Sequence, residues 1–505
     1  MTVDRRKLDE VAGTGIPGLD HIVRGGLPRN RMYLVQGDPG AGKTTMALQF
    51  LLEGKRRGES GIYISFSETR DEILGVADSH GWSLDDIHLV ETTAAEQQLT
   101  MQDENTLFEP SEVELREMIE RLLAEIERTH ASRVVLDSLS EMHLLAQGSL
   151  RYRRQVLGLK QFFAGRQCTV LMLDDRTTHD DDRQLQSLAH GVISLENQPI
   201  DYGSDQRRLR IVKLRGVSAR SGYHEFAILK GGLRVFPRVV AAEHAPQTSP
   251  GPLPSGVKEL DHLLGGGPDR GTATLIMGPA GSGKSTLALR YALASAERGE
   301  PVSVFAFDER VQTMTARLAG LGMDLGRHLE SKRVKLRQID PAEMGAGQFS
   351  ALVQGAVEED GARIVIIDTL NGYMNAIPEE RVLAVQLHEL LSYLSNVGVS
   401  SFLVLAQHGL VGQSVASTID ISYMADSVIL LRYFETEGKV RKAMSVVKKR
   451  SGAHEETIRE YSLGLPEGIS IGPPLTGFRG VLSGVPEFVG SSSKLLEAEN
   501  DRTRR

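Results

Sequence analysis

"GDPGAGKTT", residues 37–45, and "GPAGSGKST", residues 278–286, are one pattern written twice in a single chain. Each copy reads G-x-x-x-x-G-K-[ST], and each stands between an apolar run and a helical pattern: "RMYLVQ" and "TATLIM" before, "TTMALQFLLEGKRRG" and "STLALRYALASAERG" after. The pattern has a mechanical reason. Its glycines let backbone N–H groups curl around phosphate oxygens, and the helix that follows turns its positive end toward them. The first cradle is Gly37, Asp38, Pro39, Gly40, Ala41, Gly42, Lys43, Thr44 and Thr45. The second is Gly278, Pro279, Ala280, Gly281, Ser282, Gly283, Lys284, Ser285 and Thr286. Lys43 and Lys284 would reach the outer phosphates, and the hydroxyls of Thr44 and Ser285 would hold magnesium. The expected ligand at both is ATP with Mg2+.

Working outward from the two lysines, which lie 241 residues apart, the same offset carries Asp20 of "GTGIPGLD" onto Asp261 of "PSGVKELD". It carries Glu68 of "YISFSET" onto Glu309 of "VFAFDER", and Gly81 onto Gly322. A register kept over such a length marks an internal duplication. Each copy alternates apolar β runs with helices. In "SEVELREMIERLLAEIERTH" the pair Ser111 and Glu114 reads as a capping box, with Leu115, Ile119, Leu122 and Ile126 on one helix face. Near-continuous Val, Ile and Leu strands separated by helices predict a parallel sheet covered on both faces. The fold class expected is α/β, two tandem P-loop domains with mostly parallel sheets flanked by helices. The first covers residues 1–245, the second 246–472, and 473–505 form a C-terminal segment and tail. From Pro237 the stretch "PRVVAAEHAPQTSPGPLPSG" reads as an exposed linker.

Each cradle needs an acid for its metal and a base for its chemistry. "RVVLD" and "RIVIID" end in Asp137 and Asp368, each after apolar residues, where a carboxylate would hold magnesium directly or through water. Glu68 and Glu309 follow apolar strands and are the candidate bases, with Asp308 beside Glu309 where the first copy has Ser67. "VKLRG" and "VKKRS" supply Lys213 with Arg215 and Lys448 with Arg450, K-x-R pairs that would point to one face of a strand. Such cations would stabilise the leaving phosphate, act on a neighbouring subunit's nucleotide if the chain forms an oligomer, or form a solvated charge pair on an edge strand.

Composition narrows the classes. The chain of 505 residues has 40% apolar and 25% charged residues, as a globular protein has. Its net charge of −8 offers no basic footprint for nucleic acid. The start of the chain lacks the apolar core of a signal peptide, and no apolar run is long enough for a membrane span, so a cytoplasmic protein is expected. The single cysteine, Cys168, in "CTVLMLDD", reads as an inert core residue.

Both cradles, "GIPGLD", "FSET", "FDER", "VKLRG", "MADSVILLRY" and "IREY" together resemble the KaiC family, double-domain ATPases of the RecA superfamily, over about residues 11–485. The resemblance implies a hexamer of two stacked rings with ATP between subunits. It implies a first copy that is mainly a slow ATPase and a second that moves phosphate onto its own hydroxyls. It also implies a KaiB-like or other signalling partner. The family's catalytic carboxylate pair falls on Ser67 and Glu68, then on Asp308 and Glu309. Its phosphorylated Ser-Thr pair falls on Ser422 and Tyr423, the candidate phosphoacceptors, where Tyr423 departs from the family pattern. Two other classes share these motifs: a DNA-dependent recombinase or helicase ATPase, and a nucleotide-bound scaffold with vestigial catalysis.

Overall fold

The computed structural model describes residues 10–92, 110–146, 148–176, 181–199, 203–247, 251–375, 380–407, 421–465, 468–482 and 487–488. The chain divides into two compact units between Arg238 and Val239. In the first, a short ribbon of β1 (Val11–Ala12) and β2 (Leu27–Pro28) precedes β3 (Met32–Gly37), which runs straight into the first cradle. Then follow β4 (Gly61–Ser65), β5 (Ile87–Glu91), β6 (Arg133–Asp137), β7 (Thr169–Asp175), β8 (Gly191–Gln198), β9 (Gln206–Leu214), β10 (His224–Leu229) and β11 (Gly232–Phe236). They form one nine-stranded sheet in the order β11-β10-β9-β8-β3-β7-β6-β4-β5. From β8 to β5 every pairing is parallel, while β9, β10 and β11 add antiparallel strands at one edge.

The second unit repeats the plan. Its strands are β12 (Ala273–Gly278), β13 (Val302–Ala306), β14 (Val334–Gln338), β15 (Ile364–Asp368), β16 (Ser400–Ala406), β17 (Ser427–Thr436), β18 (Lys439–Lys449), β19 (Arg459–Gly464) and β20 (Gly468–Pro474). Their order, β14-β13-β15-β16-β12-β17-β18-β19-β20, is that of the first sheet strand for strand. Even the entry loops match. Asp20 Oδ1 accepts from the N–H and hydroxyl of Thr14, both at 2.8 Å, and Asp261 Oδ1 accepts likewise from Ser255, both at 2.7 Å.

Alternate residues of each strand face opposite layers. Ile62 and Ile64 bury into one core of the first unit and Tyr63 into the other. The cradle helix Lys43–Arg56 packs on one face. Pro110–Thr129, Leu139–Ala146 and Ser149–Phe163 cover the other, with Ile119, Leu122 and Ile126 buried as their spacing requires. The side chains of Ser111, Glu114 and Leu115 lie outside the described residues. Cys168 is buried, and burial pushes its thiol up to about 11, so it is not a thiolate at neutral pH.

The segment after Pro237 is only partly the exposed linker its prolines suggest. Val239 and Ala241 bury in the second unit's core, and Asn396 donates to the Ala241 carbonyl at 2.9 Å, while Ala245, Pro246 and Gln247 are exposed. At the other end β20 continues to Pro474, and Leu475 and Val481 pack against Phe434 and Ala443. Buried apolar side chains anchor both segments despite their proline and glycine content. No helix among the described residues is long and apolar enough to cross a membrane.

Candidate functional site

β3 and β12 lie where strand order reverses. Each is flanked by a strand on either side, and the helix after it crosses to a non-adjacent strand, so a crevice opens at its carboxyl end. Both cradles sit there. Gly40 and Gly42 have φ of 74° and 95°, and Gly281 and Gly283 have 72° and 102°, the left-handed region that glycine alone enters cheaply. No side chain caps the helices Lys43–Arg56 and Lys284–Glu297, so their first N–H groups are left for an anion. A Cβ on Gly42 would meet Ile228 at 2.8 Å, and one on Gly283 would meet Leu463 at 2.7 Å.

The lysines fold back over the loops. Lys43 Nζ donates to the carbonyls of Gly37 and Asp38, both at 3.0 Å, and pairs with Asp175 Oδ1 at 2.8 Å. Lys284 Nζ donates to the Pro279 carbonyl at 2.8 Å, and burial pushes its pKa down to about 8. An incoming phosphate would offer both ammonium groups a stronger acceptor.

The strand-end acids reach the hydroxyls beside these lysines. Thr44 Oγ1 donates to Asp137 Oδ2 at 3.3 Å, and Ser285 Oγ donates to Asp368 Oδ1 at 2.9 Å. Asp137 also accepts from the Tyr63 hydroxyl; Val304 stands at that place in β13, and Asp368 Oδ2 is buried without a partner. Burial raises the Asp137 carboxyl and pushes Asp368 up to about 6, with Glu309 and Asp308 adding repulsion at Asp368. A buried carboxylate with a vacant lone pair beside a hydroxyl fits a small divalent cation. Among the described residues no group of three or more His, Cys, Asp or Glu could hold a metal alone. That suits magnesium, which takes one or two protein ligands and completes its shell with phosphate and water.

The candidate bases differ between copies. Glu68 is fixed through its backbone to the Ser65 hydroxyl, its Oε2 is buried without a partner, and burial followed by Asp137 raises its pKa. Glu309 is gripped by Arg317, Nε to Oε1 at 3.0 Å and Nη2 to Oε2 at 2.8 Å. Asp308 accepts from the Thr369 hydroxyl, and Ser67 is exposed. The second cradle opens into a cavity of about 500 Å3 lined by Lys284, Ser285, Thr286, Glu309 and Arg317.

The K-x-R pairs lie at the opposite end of each sheet. Lys213 is opposite Val192 near the start of β8, and Lys448 is opposite Val428 near the start of β17. The cradles begin three residues further along the neighbouring strands, about 10 Å away at strand rise, beyond the reach of either side chain. A bulge at Val212 and another at Val447 precede the lysines, and Arg215 and Arg450 stand just past the strand ends. All four cations grip a turn. Lys213 donates to Gln186 and Ala189, Arg215 to Ser187, Lys448 to Ser422 and Ala425, and Arg450 to Tyr423. Both candidate phosphoacceptors therefore sit on the turn held by the second pair, with Tyr423 54% exposed. In the first unit Arg215 also borders a cavity of about 260 Å3 with Arg31, Lys160 and His190.

Two nucleotide-type cradles on a duplicated sheet agree with the sequence comparison, in which the KaiC ATPase family matches residues 12–240 and again 253–476. The chain belongs to the KaiC ATPase family. It is 27% identical over 486 residues to the circadian clock protein KaiC3 of Synechocystis sp., covering 95% of each chain. It is 28% identical over 528 residues to the circadian clock oscillator protein KaiC of Parathermosynechococcus lividus, covering 97% of this chain and 91% of that one. With KaiC2 of Synechocystis sp. it shares 26% identity, covering 97% and 86%.

Against this KaiC-family background three residues enter the sites that sequence patterns alone do not flag. Tyr63 donates to Asp137, Asp175 pairs with the first cradle lysine, and Arg317 holds the second candidate base. Copy-to-copy comparison carries the signal for two of them: Val304 replaces Tyr63, and Val76 stands where the second copy has Arg317.

Proposed function

We propose that each unit binds ATP with magnesium and hydrolyses it, and that the second also transfers phosphate to a hydroxyl of this chain. ATP lies with its phosphates on the cradle amides and on Lys43 or Lys284. Thr44 with Asp137, and Ser285 with Asp368, would hold magnesium, which would supply positive charge to the outer phosphates. Glu68 or Glu309 accepts a proton from the attacking oxygen. That oxygen bonds to the γ-phosphorus, the bond to the β–γ bridging oxygen breaks, and its electron pair leaves with ADP.

The observation that carries the reading is the separation of each cradle from its K-x-R pair. Cations that cannot reach their own nucleotide make sense in a ring where they face a neighbour's, and we read the protein as a homohexamer. The same geometry would set Ser422 and Tyr423 beside a neighbour's γ-phosphate, which supports Ser422 Oγ as acceptor in an autokinase. The relatives named as circadian clock proteins support a role as a signalling switch with a protein partner. Incubation with ATP and phosphosite mapping by mass spectrometry tests the kinase. Phosphate on Ser422 or Tyr423 is expected, and its absence from both contradicts it.

A further inference from the structure

The two candidate bases sit in opposite electrostatic settings. Arg317 lies two helical turns after Glu309, on the helix Val311–Ala319, and folds back so that its fork takes one lone pair on each carboxylate oxygen. Its remaining nitrogen, Nη1, donates to the Thr286 hydroxyl at 2.6 Å, which ties the guanidinium to the cradle helix. The pair is half-buried, with Glu309 26% and Arg317 33% exposed. In the first unit Thr45 stands where Thr286 does, but Val76 takes the place of Arg317 and packs on apolar neighbours. Glu68 accordingly has an oxygen with no donor.

A bidentate guanidinium occupies the lone pairs that face one way and sets a full positive charge beside those left. Both effects weaken a carboxylate as a proton acceptor. We propose that Arg317 is a positioning residue that restrains Glu309 from activating water, so that the second site keeps its triphosphate while the first hydrolyses. This rests on Glu309 being the base of its site. In chemical terms Arg317 spares the γ-phosphate from loss to water, which leaves it for a hydroxyl acceptor. The restraint acts in cis and is built into one copy only.

The test measures phosphate release by the full chain in a Glu68→Gln background, which leaves the second site to be read. Arg317→Met should raise kcat about three- to tenfold, the rate equivalent of a half-buried ion pair, with KM for ATP little changed. Arg317→Lys, which keeps a cation, should stay near the parent. Adding Glu309→Gln to Arg317→Met should return turnover to the level of Glu309→Gln alone, because the effect passes through that carboxylate. An unchanged or lowered kcat for Arg317→Met, with Glu309→Gln still damaging, overturns the restraint and leaves the base assignment standing. A Glu309→Gln that leaves turnover unchanged overturns both.

Discussion

At the scale of single residues the two sites use the same parts under different constraints. Lys43 must leave Asp175 to meet a phosphate, and Asp175 then remains as a nearby negative charge; Ala406 is the corresponding residue of β16. Asp175→Asn should tighten nucleotide binding at the first site about two- to tenfold, read by titration with the second site blocked by Lys284→Ala. Weaker binding would assign Asp175 a ligand's role instead. Glu68→Gln should lower first-site turnover about a hundredfold, as loss of a general base does. Asp368 makes a pH prediction. Burial raises its carboxyl from 3.8 to about 6, so between those values the folded chain holds a proton that the unfolded chain releases. Stability of the nucleotide-free protein therefore falls as pH rises through that window, and the full cost is present above it. Asp368→Asn should melt higher than the parent at pH 8 by several degrees, with the gap narrowed at pH 5. A gap that ignores pH would contradict the assignment. These pairings were the least legible part of the sequence. Asp175 closes an apolar strand, and only the parallel register of β3 with β7 brings it to the cradle.

At the scale of elements, legibility follows contiguity. The cradles, the strands feeding them and the acids ending β6 and β15 are written in consecutive residues, and their periods specify β runs and helices without tertiary help. The antiparallel edge strands and the bulges at Val212 and Val447 are set by pairing partners far along the chain, so the K-x-R spacing alone could not show that Arg215 and Arg450 lie beyond the strand ends. Glycine at the cradle is a requirement of element geometry. Gly283→Ala would place a Cβ 2.7 Å from Leu463 at φ 102°, and should cost about 1–2 kcal/mol in denaturation and weaken second-site nucleotide binding. Gly361→Ala, also at positive φ but with open space around it, should show a similar backbone cost and keep nucleotide affinity. Equal loss of nucleotide in both would remove the argument from close approach.

At the scale of the whole molecule, duplication was readable from a constant 241-residue offset, and the matching strand orders are its structural form. The placement of cradle and cations at opposite sheet ends was not readable, because strand direction and order decide it. The proposed sharing of each site between subunits predicts that ATP with magnesium yields a particle about six times the 55.2 kDa chain, which light scattering would register. A monomer at saturating ATP would oppose that. The most direct measurement mixes two second-site variants in the Glu68→Gln background, one Glu309→Gln and the other Lys448→Ala with Arg450→Ala. Each should be nearly inactive alone. A co-assembled equal mixture should recover roughly a quarter of parental phosphate release, from interfaces that join an intact cradle to a neighbour's intact cations. A mixture no more active than the two variants apart would contradict a site shared between subunits.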